Sequence, residues 1–171
     1  MRSLDGTSVS DAVLDIWQAP ANGMYENTDP SQAEFNCRGR LRAASDGNYR
    51  FWTVKPVPYP IPKDGPAGLI LDAAQRHNMR AAHIHVIVEA PGYEKVISEL
   101  FVAGDPYIDS DAVFGVKDSL TIEFVRHESA VTRRNMDGRF HFIRSTMTSF
   151  WCLARPGTTS IFRLGAHEEM R

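Results

Sequence analysis

Short runs in which side-chain character alternates every second residue recur along this chain, and they limit what it can fold into. A strand sends successive side chains to opposite faces, so residues 13–17, the Arg38-Gly39-Arg40-Leu41-Arg42 run, and residues 82–89, 95–102, 120–126 and 139–144 all read as strands. Ser45-Asp46-Gly47-Asn48, rich in residues that tolerate positive φ, precedes residues 49–54 and predicts a hairpin. Pro91-Gly92 and Gly104-Asp105-Pro106 mark further turns. Only residues 65–75, with Leu69, Leu71, Ala73 and Ala74, predict a helix, and a short one. The fold class that follows is mainly β: a sandwich of mostly antiparallel strands with one short helix.

A length of 171 residues suits one domain, and the sequence is read as a single domain over 1–171. A formal charge of -2, with both signs interspersed, provides no basic stripe for phosphates, so neither nucleic acid nor an anionic membrane is expected as a partner. No stretch approaches the roughly 20 apolar residues of a membrane span, and Met1-Arg2-Ser3-Leu4-Asp5 lacks the apolar run of a signal peptide. A cytoplasmic protein with a small-molecule partner is the expectation. Two cysteines, Cys37 and Cys152, make no disulfide framework and are read as free thiols.

Chemistry concentrates at His83-Ile84-His85. Alternation places both imidazoles on one face with Cα atoms roughly 6.5 Å apart, close enough to share a metal, while Ile84 faces the core. A pair of histidines alone is a weak signal. A completing carboxylate is not obvious, since Glu89 lies far along the strand and Glu99 would have to come from a neighbouring one. Tyrosine is then a candidate donor, and the run Pro56-Val57-Pro58-Tyr59-Pro60-Ile61-Pro62, read as a stiff extended loop that cannot join a ladder, would fix Tyr59 in place. A tyrosinate is a hard anionic oxygen whose ionisation, from a pKa near 10, a highly charged cation drives well; two of them favour ferric iron.

Three segments in order, Gly23-Met24-Tyr25 after Asp15-Ile16-Trp17-Gln18, then Pro58-Tyr59-Pro60-Ile61-Pro62, then Arg80-Ala81-Ala82-His83-Ile84-His85, resemble the catalytic sandwich of the intradiol ring-cleavage dioxygenases. The resemblance runs from about residue 5 to residue 128. Tyr59-Pro60-Ile61-Pro62 and Asp109-Ser110-Asp111-Ala112-Val113-Phe114-Gly115 look most like the hydroxyquinol 1,2-dioxygenase branch. It implies one Fe(3+) per chain, held by Tyr25, Tyr59, His83 and His85, with Tyr59 and His85 axial and Tyr25 and His83 equatorial beside a hydroxide. Three positive charges are then balanced, and a catechol dianion enters by displacing Tyr59 without stranding buried charge. The implied reaction uses dioxygen to open a catechol-type ring between its two hydroxyl-bearing carbons, converting hydroxyquinol to hydroxymuconate and its tautomer maleylacetate. No organic cofactor is implied.

The same resemblance gives Arg80 a catalytic role beside Tyr59, its permanently charged guanidinium brought over the substrate by a bend at Ala81-Ala82. Glu99 stands where the family usually places a glutamine; it would repel a substrate dianion or pair with Arg80. Ile61, Pro62 and Val113 match apolar substrate-lining positions, with core packing an equal alternative. His77, His127, His141 and His167 lack ligand spacing, Trp17, Trp52 and Trp151 read as core, and Tyr93 and Tyr107 sit beside turns. Members of the family dimerise through a helical segment before the sandwich, whereas this sequence starts at Asp5-Gly6-Thr7 inside the expected first hairpin. Residues after about 145 match nothing in the pattern. Three alternatives remain open: a transthyretin-like binding module, a truncated inactive homologue, and a zinc hydrolase that would need a carboxylate ligand and a general base.

Overall fold

In the computed structural model, described for residues 1–3, 5–49, 51, 53–126, 143–145, 148–151 and 163–166, the histidine run forms the central strand of a five-stranded sheet. This strand, β5 (His83–Glu89), is paired antiparallel on one side with β1 (Val13–Gln18) and on the other with β6 (Val96–Val102). Outside them lie β2 (Arg38–Arg42), antiparallel to β1, and β7 (Thr121–Ile122), parallel to β6, giving the order β2-β1-β5-β6-β7. The short pairs β3 (Tyr59–Pro60) with β4 (Met79–Arg80), β8 (Phe124–Arg126) with β9 (Ile143–Ser145), and β10 (Thr148–Trp151) with β11 (Arg163–Ala166) complete a mainly β chain of mostly antiparallel strands.

Alternation sorts the sheet into two faces of different chemistry. Leu14 opposes Leu41 and Val88, Ile16 opposes Val86, and Ile84 opposes Leu100, so one face is a continuous apolar layer that also buries Val96 and Ile122. The other face carries Trp17, His85 and Glu99 as one cross-strand row, because Trp17 pairs with His85 and His85 with Glu99. Fully buried apolar side chains of this size each contribute roughly 1.5–3 kcal/mol, so the apolar layer fixes the register. A one-residue slip would turn the polar row into the core.

The helix forms where expected, as α1 (Pro66–Ala73). Gly65 caps it in an extended conformation, Pro66 supplies the preset φ of a first turn, and Gln75 at φ 52 ends it. Gly68 is obligatory: a Cβ there would meet the Lys63 carbonyl oxygen at 2.0 Å. Leu71 is buried, whereas Leu69 and Ile70 are 73% and 70% exposed. No helix among the described residues is long and apolar enough to cross a membrane.

Three strand expectations need correction. The turn at Asp46-Gly47 is made, with Gly47 at φ 77 and Ala44 and Asn48 bonded across it, but residues 49–54 form no regular strand among the described residues, only a bridge at Thr53. Phe51 and Thr53 line, with Gly39 and Leu41, a cavity of ≈ 200 Å³. The proline run does join a ladder at its end: Tyr59 pairs with Arg80, and Ile61 N–H donates to Asn78 O, because the non-proline residues keep their donors. Residues 120–126 are one strand in two pieces, since β7 pairs with β6 and β8 with β9. Of the expected strand 139–144 only its end falls on β9, and residues 139–142 lie outside the described residues, as do Trp52, His127, His141, Cys152, His167 and the side chain of Trp151. Cys37 is a free, half-buried thiol.

Candidate metal centre

Four side chains from three parts of the chain meet above the polar face of the sheet. Tyr25, on the turn after β1, donates its hydroxyl to the Tyr59 oxygen at 3.2 Å. The Tyr59 oxygen lies 3.3 Å from His83 Nε2, and His83 Nε2 lies 3.1 Å from His85 Nε2. The structure therefore brings the four candidate donors together. Gly23 helps set the turn: it sits at φ 73, and a Cβ there would touch the Tyr59 Cβ at 3.5 Å. Tyr59 owes its place to the Tyr59–Arg80 pairing of β3 with β4, which leaves only the Ala81-Ala82 link, tied to Asp111 and Val102, before His83.

The tautomer of His83 follows from its surroundings. Its Nδ1 lies 2.6 Å from the Ala81 carbonyl oxygen, which can only accept, so Nδ1 carries the proton and Nε2 presents a lone pair toward both Tyr59 and His85. Trp17 stacks on the His85 ring at 4.7 Å and 9°, holding it upright. Burial pushes His83 below the ordinary histidine pKa, and burial together with the neighbouring His83 pushes His85 down to about 4. Both rings are neutral at pH 7 and available as ligands. Burial, reinforced by the Tyr25–Tyr59 hydrogen bond, raises the Tyr25 hydroxyl, and burial raises Tyr59 as well. Neither phenol ionises unaided; a highly charged cation has to displace the protons. Two hard phenol oxygens and two imidazoles facing one point fit ferric iron.

Arg80 is no surface residue capping a strand end. It is buried, its Nη2 bonded to Glu99 Oε2 at 2.6 Å and its Nε to Asp111 Oδ1 at 2.9 Å. The ladder breaks at Ala81-Ala82, between β4 and β5, and the pairing of Glu99 with Arg80 is the outcome realised. Burial opposes ionisation of Glu99, but the Arg80 guanidinium and the two histidines hold its carboxyl below the usual range. Asp111 is held low in the same way: burial opposes it, and the Gly115 N–H, Arg80 and the Ala81 N–H outweigh burial. One guanidinium thus sits between two carboxylates. Gly115 keeps this arrangement open, since a Cβ would lie 3.2 Å from Glu99 Oε2 and 3.3 Å from Arg80 Nη2.

Glu99 also answers the search for a carboxylate: on β6 it stands directly opposite His85. Sequence reasoning missed two further residues, Trp17, read as core but half-buried on the histidine face, and Asp111, which has no ligand-like spacing. Ile61 is half-buried, Pro62 exposed, and Val113 49% exposed, so none of the three is core. His77 stands apart, its Nε2 3.0 Å from Ser110 Oγ.

The family model Dioxygenase_C, described as dioxygenase, matches residues 2–145. A 6-chlorohydroxyquinol 1,2-dioxygenase of Cupriavidus pinatubonensis is 42% identical over 134 residues, covering 78% of this chain and 49% of its own length. A hydroxyquinol 1,2-dioxygenase of a Rhizobium species is 47% identical over 127 residues, with 74% and 43% covered. The crystal structure of hydroxyquinol 1,2-dioxygenase from Pseudomonas putida DLL-E4 superposes with a TM-score of 0.73 at 42% identity, covering 90% of this chain and 54% of that one. The chain spans less than half the length of these two curated relatives. With its β-rich architecture and this cluster of side chains, the chain belongs to the dioxygenase family, among the intradiol ring-cleavage enzymes.

Proposed function

We infer that this chain carries the ferric centre of an intradiol dioxygenase and that its substrate is a catechol-type ring, hydroxyquinol in first place. One observation carries the reading: Tyr25, Tyr59, His83 and His85 converge with contacts of 3.1–3.3 Å between their donor atoms. The names of the relatives above, hydroxyquinol and 6-chlorohydroxyquinol 1,2-dioxygenases, support the choice of substrate.

Ferric iron, when bound, would supply the positive charge that takes up a ring enediolate and draws on its electrons, so that dioxygen attacks a ring carbon. The protein's part is positional and electrostatic. The Ala81 carbonyl fixes the proton of His83 on Nδ1, and Trp17 keeps His85 upright. Tyr59 shares its hydroxyl with Tyr25 and His83, and by the family resemblance it would be the phenol that gives way to a diol and holds a proton at Oη. Arg80 keeps its charge at any working pH, but two carboxylates neutralise it, so less of that charge reaches a bound ring than a free arginine would provide. Ile61, Pro62 and Val113 are accessible enough to line the ring's apolar edge.

The test is oxygen uptake by the iron-loaded chain with hydroxyquinol, catechol and 4-chlorocatechol. Uptake of one dioxygen per hydroxyquinol, with hydroxymuconate and maleylacetate as products and slower turnover of the other two, is expected. Cleavage outside the diol, or no consumption by a chain that holds iron, would contradict the reading.

A further inference from the structure

The donor cluster includes one group that the four-ligand reading leaves out. Glu99 uses its two oxygens unequally. Oε2 accepts from Arg80 Nη2 at 2.6 Å, whereas Oε1 has only a 3.3 Å contact with Nη1 and turns toward the imidazoles, 3.3 Å from His85 Nδ1 and 3.8 Å from His83 Nε2. One nitrogen from each ring and one Glu99 oxygen lie within 4.8 Å of one another.

Two of these three donors have a hydrogen-bonded outer partner, and the third is steadied by a stacked ring. Ala81 O takes the Nδ1 proton of His83, Trp17 stacks on His85, and Arg80, itself anchored by Asp111, fixes the carboxylate. Metal sites are commonly supported in this way, because a ligand whose other atoms are already bonded loses little freedom on binding. Two imidazoles and one carboxylate form a face suited to first-row divalent ions, with further positions left for water or substrate. Such an ion polarises phenols far less than a trivalent one and has no need of them. A glutamine at position 99, which the family resemblance would lead one to expect, would offer only a neutral amide oxygen.

We propose that the pocket contains two overlapping donor sets, and that a divalent transition-metal ion binds through His83, His85 and Glu99 without ligation by Tyr25 or Tyr59. This proposal rests on the same histidines as the ferric reading but not on its phenols, so tests at Glu99 and at the phenols separate the two.

Calorimetric titration of Zn(2+) into the metal-free chain tests it. One ion per chain is expected. Tyr25→Phe/Tyr59→Phe should keep its zinc affinity, and Glu99→Gln should lose at least about tenfold to a hundredfold, the range already seen when an outer partner is removed. No zinc binding by the unaltered chain, loss of affinity in the double phenylalanine variant, or an unchanged Glu99→Gln would each overturn the proposal. A crystal structure of the zinc-loaded chain requires no variant to fold: Glu99 Oε1 at about 2.0–2.2 Å from zinc supports the proposal, and a phenol oxygen in its place overturns it. A chain that colours with ferric iron yet ignores zinc loses this inference and keeps the ferric reading.

Discussion

The two halves of the donor cluster are built in different ways. His83, His85 and Glu99 stand on β5 and β6 in the middle of the sheet, where the register is locked by the apolar layer of Ile84, Val86 and Leu100 behind them. Tyr25 stands on a turn and Tyr59 on a two-residue strand held to β4 by the Tyr59–Arg80 and Pro60–Met79 pairings and the two Ile61–Asn78 hydrogen bonds. Rigid imidazoles beside phenols on short, lightly held segments are what a centre requires if one phenol is to leave when substrate arrives. Sites on strands are held more tightly than sites on loops, and the division of labour follows that difference.

The comparison breaks most directly at the strand donors. His83→Ala should lower affinity for any metal by more than about a hundredfold, beyond the loss caused by removing an outer partner, as read by competition with a coloured chelator. Retained affinity would mean that the sheet does not anchor the ion. Tyr59→Phe acts on the lightly held half: ferric colour should weaken and shift and turnover should fall on the order of tenfold or more, while zinc binding stays. Equal damage to ferric and zinc binding would erase the distinction between the halves.

Smaller effects sharpen it. Trp17→Ala removes the ring stacked on His85 and should cost about 2 kcal/mol of stability, less than loss of a fully buried tryptophan, as measured by denaturant unfolding. Acid provides the mildest test. His83 and His85 have folded pKa values below the unfolded value near 6.5, so the unfolded chain binds the extra protons. Their contribution to stability is therefore complete above about pH 6.5 and is lost as pH falls toward about 4, the value to which His85 is pushed. Stability of the metal-free chain that rises on acidification through that window would contradict the buried, neutral histidines. His77→Ala, away from the cluster, should change metal affinity not at all and stability by less than about 1 kcal/mol.

What the sequence reveals follows the range of the interactions involved. Alternation over His83-Ile84-His85 places both rings on one face and Ile84 in the core, because strand periodicity is local. Tyr25 and Tyr59 carry no local signal that joins them to the histidines; only the resemblance of whole segments does. Glu99 is the instructive case. Its distance from His85 along the chain hides their adjacency, which exists only once β5 and β6 pair in the register His85–Glu99. Trp17 was hidden in the same way, since a tryptophan on an alternating strand looks like core until the face it shares with His85 is known. Residues 49–54 show the reverse error: a well-formed Asp46-Gly47 turn supplies a reversal but, among the described residues, only a bridge at Thr53 rather than a regular strand, and Tyr49 and Phe51 pack by their side chains.

Visible absorption of the iron-loaded chain, recorded before and after anaerobic addition of hydroxyquinol, tests the central claim most directly. A strong tyrosinate-to-iron band that shifts when the diol is added is predicted, since the proposed ferric centre takes Tyr25 and Tyr59 as ligands and Tyr59 as the one displaced. A chain that binds ferric iron yet shows no such band would contradict the account.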